Sequence, residues 1–96
     1  PKGYSAMLTG DALLSFAHYG RAKAMYEAAL SKGGIVDRDG IDQTDRALTN
    51  LAIANVYLKD FAGAKAALAK VTSAKRKGIA EYWTIYIDQQ AAVPAA

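Results

Sequence analysis

The chain has 96 residues, 52% of them apolar, no cysteine and a net charge of +3. That length makes one domain or a slice of a larger array, with a small core whose large side chains carry most of the buried area. The composition excludes disulfides and thiolate chemistry. The longest uncharged run, Ala47 to Leu58, is too short and too polar to cross a bilayer, and a charge of this size gives no strong pull toward nucleic acid.

Helical spacing predicts five helices. The first runs from about Ser5 to Ala17, with Leu13, Phe16 and Ala17 on one side. Gly10 sits inside it; a mid-helix Gly costs roughly 1 kcal/mol relative to Ala, so it is assigned to a close helix contact. The second runs from about Gly20 to Lys32 with a stripe of Ala22, Met25, Tyr26, Ala29 and Leu30, and Gly33-Gly34 closes it. Residues 33–43 form an acidic loop containing Asp37, Asp39 and Asp42 around Gly40. Thr44 is expected to cap the third helix, with Asp45 near its positive end, and that helix continues to about Leu58 with Leu48, Leu51, Ala52 and Asn55 on one face. Asp60 caps the fourth, from about Phe61 to Val71, and the fifth spans about Lys75 to Ala91 with the aromatic cluster Tyr82, Trp83 and Tyr86. The links His18-Tyr19 and Lys59-Asp60 are short enough to force antiparallel hairpins. The expected core is Leu13, Phe16, Tyr19, Tyr26, Leu48, Leu51, Phe61, Leu68 and Trp83. Residues 92–96 read as a linker-like tail, and a start at Pro1 suggests a piece of a longer protein.

The pattern Tyr19-x-x-Ala22-x-x-x-Tyr26-x-x-Ala29 returns 42 residues later as Phe61-x-x-Ala64-x-x-x-Leu68-x-x-Val71, and Ala22-Lys23-Ala24 recurs as Ala64-Lys65-Ala66. With Gly10 and Ala52 as the small residues of the first helix in each pair, this resembles tetratricopeptide repeats of a divergent bacterial type. The resemblance covers roughly residues 5–72, and the acidic loop reads as an insertion that lengthens the spacing. It implies an all-α domain over residues 1–91: a right-handed α-α superhelix of two hairpins, about 5–32 and 44–72, closed by a capping helix at about 75–91. The compartment is left open, bacterial cytoplasm or periplasm, since the expected fragment lacks any targeting signal.

Little in the sequence can do chemistry. His18, the one histidine, sits at a turn with no serine or carboxylate at a telling spacing, so a triad or a histidine metal site has nothing to start from. Asp37-x-Asp39-Gly40-x-Asp42 superficially resembles a calcium loop. With Gly40 as the loop glycine, however, Ile35 falls at the first ligand position and no Glu stands at the last. A solvated, helix-capping loop is the expectation, with no metal, no cofactor and no enzyme activity.

The resemblance implies that the first helix of each pair lines a concave groove. That places Met7, Asp11 and Leu14, then Arg46, Thr49, Asn50, Ile53 and Tyr57, then Trp83 and Ile87 along it. Arg46, Thr49, Asn50, Ile53, Tyr57 and Trp83 are the expected partner-binding residues: aromatic anchors, a cation and amides suited to a peptide or a partner helix. The competing reading has Trp83 sealing the core and Asn50 and Asn55 as packing or solvent positions. A chaperone-type carboxylate clamp finds only Arg46 and Asn50. Two alternatives remain: a structural segment of a longer solenoid or a homodimer contact, and anion or nucleic-acid binding through Lys70, Lys75, Arg76 and Lys77. These four basic residues also read as a solvated loop near a helix end.

Overall fold

Two chain reversals 42 residues apart set the architecture. In the computed structural model, which describes residues 3–92 apart from the side chains of residues 74 and 75, Ala17 and Lys59 both adopt the left-handed conformation, with φ of 63° and 61°. Before each, the chain closes a helix in the same way. The His18 amide donates to the Leu13 carbonyl and the Ala17 amide to the Leu14 carbonyl; the Asp60 and Lys59 amides donate to the Asn55 and Val56 carbonyls. This is the Schellman pattern, which satisfies the last carbonyls of a helix and turns the chain back on itself.

The reversals join α1 (Tyr4–Ser15) to α2 (Tyr19–Lys32) and α3 (Thr44–Tyr57) to α4 (Phe61–Leu68); α5 (Ala74–Ala92) follows. Among the described residues the fold is all-α, two helical hairpins and a fifth helix, without a strand. Each helix packs on its successor, α5 also touches α3, and α1 touches α3. The loop between the hairpins carries one isolated antiparallel bridge, Val36 to Asp42.

Alanines let the helices approach: Ala22, Ala29, Ala47, Ala52, Ala54 and Ala64 are buried. Between them the largest fully buried side chains are Tyr26, Met7, Ile35 and Ile87. Gly10 makes the close contact expected of it, since a methyl group there would lie 2.8–3.1 Å from three carbons of the Tyr26 ring. Asp60 caps α4 by accepting the Gly63 amide at 2.9 Å.

Several expectations are corrected. Phe16 is 74% exposed: it follows the last residue of α1 and precedes left-handed Ala17, so it projects past the helix end instead of into the stripe. Leu13, Tyr19, Phe61 and Trp83 are half-buried at the margin of the core. Thr44 is the first helical residue of α3, not its cap; its amide is taken by the Asp42 carboxylate at 2.7 Å. Helix α4 stops at Leu68, three residues short of the expected end, although Val71 is still buried. Of the expected tail, residues 93–96 lie outside the described residues.

Candidate functional site

Helices α1, α2 and α3 converge on one carboxylate. Asp11, on α1, accepts the Tyr26 hydroxyl from α2 at 2.6 Å, and from α3 it accepts Arg46 Nη2 at 2.6 Å and Asn50 Nδ2 at 2.9 Å. The Arg46 and Asp11 side chains are 34% and 21% exposed. Burial pushes the Tyr26 phenol far above its usual range, and the adjacent Asp11 adds to the shift. Two of the expected binding groups, the cation and an amide, are therefore committed within the chain. They fasten the hairpins together before any partner arrives.

Three expected groove residues are corrected. Thr49 is 2% exposed, and its hydroxyl donates to the Asp45 carbonyl one turn earlier. Met7 is fully buried as well. Met7 and Thr49 stand at the same step of the two hairpins, 42 residues apart, so both miss the groove for one reason: that step faces the neighbouring helix. Ile87, two turns beyond Ala80 on α5, is likewise fully buried. Ile53 is half-buried, Tyr57 is 58% exposed and Trp83 is half-buried.

Tyr57 and Trp83 are brought together. They line a cleft of about 200 Å³ with Val56, Lys59, Phe61, Tyr86 and Gln90, where the end of α3 and the start of α4 meet the second half of α5. The Tyr57 ring lies flat on Tyr19, centroids 4.6 Å apart and planes 6° from parallel. Trp83 meets Tyr86 edge to face, at 5.6 Å and 81°. Sequence reasoning assigns Phe61 to the core and Lys59 to the tight link between helices, and does not place Gln90. The available signal was the alternation of up and down helices, which carries the aromatics at the close of α3, the opening of α4 and the far half of α5 to one edge.

The opposite edge holds the loops. A cavity of about 590 Å³ there is lined by Arg46, Lys70 and Arg76 together with Asp42 and Asp45. Asp45 takes the Thr72 amide at 3.3 Å and the Ser73 amide at 2.7 Å, so the start of α5 already has an internal anion. The acidic loop is solvated and caps α3 as expected, with residues 38–42 exposed, and it is held by hydrogen bonds of its own. Ile35 is buried, and Asp37 accepts the Asp39 and Ile41 amides and the Gln43 side chain. The Ile41 amide, then Gln43, hold the Asp37 carboxyl below its usual range; the Thr44 hydroxyl and amide do the same for Asp42. The Gly63 amide and then Lys23 lower Asp60. His18 is exposed. Among the described residues no group of three or more metal-binding side chains occurs, and no helix is long and apolar enough to cross a membrane.

No protein-family model, curated protein or solved structure matches the chain.

Proposed function

We propose that this chain is a tetratricopeptide-like, non-catalytic interaction module whose two hairpins and fifth helix belong to a right-handed superhelix. Its partner, a peptide or helix, docks on the face formed by α3 and α5. The observation that carries the reading is the cleft at Tyr57 and Trp83, where aromatic surface stays partly open to solvent although the core beside it is closed. The identical reversals at Ala17 and Lys59 support the repeat. Half-exposed Ile53 extends the face toward Arg46 and Asn50, whose positions are fixed by Asp11. Anchors held in place before binding lose less entropy on association.

The test is selection of displayed 16-residue peptides on the folded protein, followed by mapping of their amide shift changes. Changes centred on Ile53, Tyr57 and Trp83 are expected. Changes confined to α2, or to the loop edge, would overturn the assignment.

A second reading, self-association, draws on the outer face of α5, where Ile79, Tyr82 and Ile85 are exposed. Sedimentation at micromolar to millimolar concentration decides it: a constant monomer mass removes it. Anion or nucleic-acid binding at the basic loop is disfavoured, because Asp42 and Asp45 share the cavity with Lys70 and Arg76.

A further inference from the structure

The chemistry of the aromatic cleft selects among occupants. Its volume of about 200 Å³ is below the roughly 300–1,000 Å³ typical of metabolite and cofactor pockets, so it suits one or two residues of a chain. No carboxylate lines it, and its one charged group is Lys59. An aromatic cage for a cation, such as a methylated lysine, is attracted by ring faces but here would meet a like charge. Lys59 takes part in none of the three ion pairs among the described residues, which leaves its ammonium for an incoming anion.

The ring geometry narrows the class further. Stacking on Tyr19 keeps the Tyr57 face flat and oriented, and the edge-to-face Trp83–Tyr86 pair makes a V-shaped wall beside it. Compact, rigid pyrrolidine rings fit such walls. A polyproline II segment also arrives already extended, with carbonyls that make no internal hydrogen bonds and so need donors. The Trp83 indole N–H, the Tyr hydroxyls and the Gln90 amide are donors of that kind. A helical partner, whose carbonyls are internally paired, would leave them unused.

Resting on the interaction-module reading, we infer that the cleft of Tyr57, Phe61, Trp83 and Tyr86 binds an extended proline-containing segment carrying a carboxylate beside the proline, which Lys59 pairs. Tyr57 and Tyr86 clasp the pyrrolidine rings, and Lys59 sets the direction in which the segment lies.

The experiment titrates the whole chain with three ten-residue peptides: a tetraproline flanked by Glu, the same core flanked by Lys, and the Glu-flanked peptide with alanine for proline. Trp83 is the single tryptophan, so its emission reports the cleft directly. The Glu-flanked proline peptide is expected to shift that emission and to bind at least about tenfold more tightly than either control. Tyr86→Ala should weaken it by about tenfold, and Lys59→Glu should reverse the preference between the Glu and Lys flanks. Circular dichroism on both variants separates a lost contact from a lost fold. Equal binding of the proline and alanine peptides, or an unreversed flank preference in folded Lys59→Glu, overturns the inference. If display-selected peptides without proline bind at Tyr57 and Trp83 while the proline peptide does not, the proline assignment falls and the interaction module stands. If neither binds and the chain dimerises through α5, both fall.

Discussion

Removing the Asp11 carboxylate tests the link between the hairpins. Asp11→Ala deletes three hydrogen bonds that reach α2 and α3. The Arg46 pair is about a third exposed on the arginine side, so screening leaves it worth only about 1 kcal/mol. The larger effect is the phenol. Tyr26 is fully buried, and a buried hydroxyl without its acceptor costs about 1–3 kcal/mol. Together these predict a loss of about 2–4 kcal/mol, which at about 4–8 °C per kcal/mol lowers Tm by about 8–32 °C. Thermal melts of Asp11→Ala, Tyr26→Phe and the double variant provide the cycle. If the orphaned hydroxyl dominates, adding Tyr26→Phe to Asp11→Ala recovers part of the loss, with a coupling of about 1–2 kcal/mol. A melt within about 0.5 kcal/mol of the parent, or strict additivity, would refute the argument that Asp11 holds the three helices.

Glycine at the two left-handed positions, Ala17→Gly and Lys59→Gly, should each stabilise by about 0.5–1 kcal/mol, since relief of the strained backbone exceeds the added unfolded-state entropy; urea midpoints read this. Gly10→Ala should destabilise by about 1–3 kcal/mol despite the better helix propensity, because the methyl meets the Tyr26 ring, and a gain would show that the ring yields. Asn55 is buried with an unpaired Oδ1, and Leu13 holds its place in the first hairpin. Asn55→Leu should therefore stabilise by about 1 kcal/mol, whereas a loss would reveal a partner for the amide. The pH profile is bounded on both sides. Asp37, Asp42 and Asp60 have lowered folded values, so their contribution is present above about pH 4 and fades as pH falls through those lower values. Tyr26 is raised, so its contribution is present below about pH 10 and fades as pH rises beyond that. Urea midpoints from pH 2 to 11 should form a plateau between these limits.

The helices were legible because their signals are local. Apolar residues recur at helical spacing, Asp60 stands before an apolar run, and Gly10 interrupts a stripe where only a close neighbour would justify it. Phe16 was misplaced because periodicity does not say where a helix stops, and one residue past the end points elsewhere. Met7 and Thr49 were misplaced together because the lining of a groove depends on the roll of each helix about its axis, which the repeat copies but does not reveal. Asp11 and Arg46 are 35 residues apart and no pattern ties them. Ile35 was invisible as a core residue because periodicity is silent in a loop. The aromatic cleft drew on residues already noticed, but their meeting depended on the alternating direction of the helices.

The Asp45 carboxylate has a mechanical consequence. It bridges the first turn of α3 to the Thr72 and Ser73 amides, and α5 otherwise rests on α3 and α4 alone. The last helix is thus tied down at two places: Asp45 holds its leading end, and farther along Ile87 is fully buried and Asp88 pairs with Lys65 of α4 at 2.8 Å. Trp83 and Tyr86 lie between these two ties, so the width of the aromatic cleft is set by how α5 seats on α3 and α4. A ligand wedged there would in turn damp the amide hydrogen exchange of the whole helix.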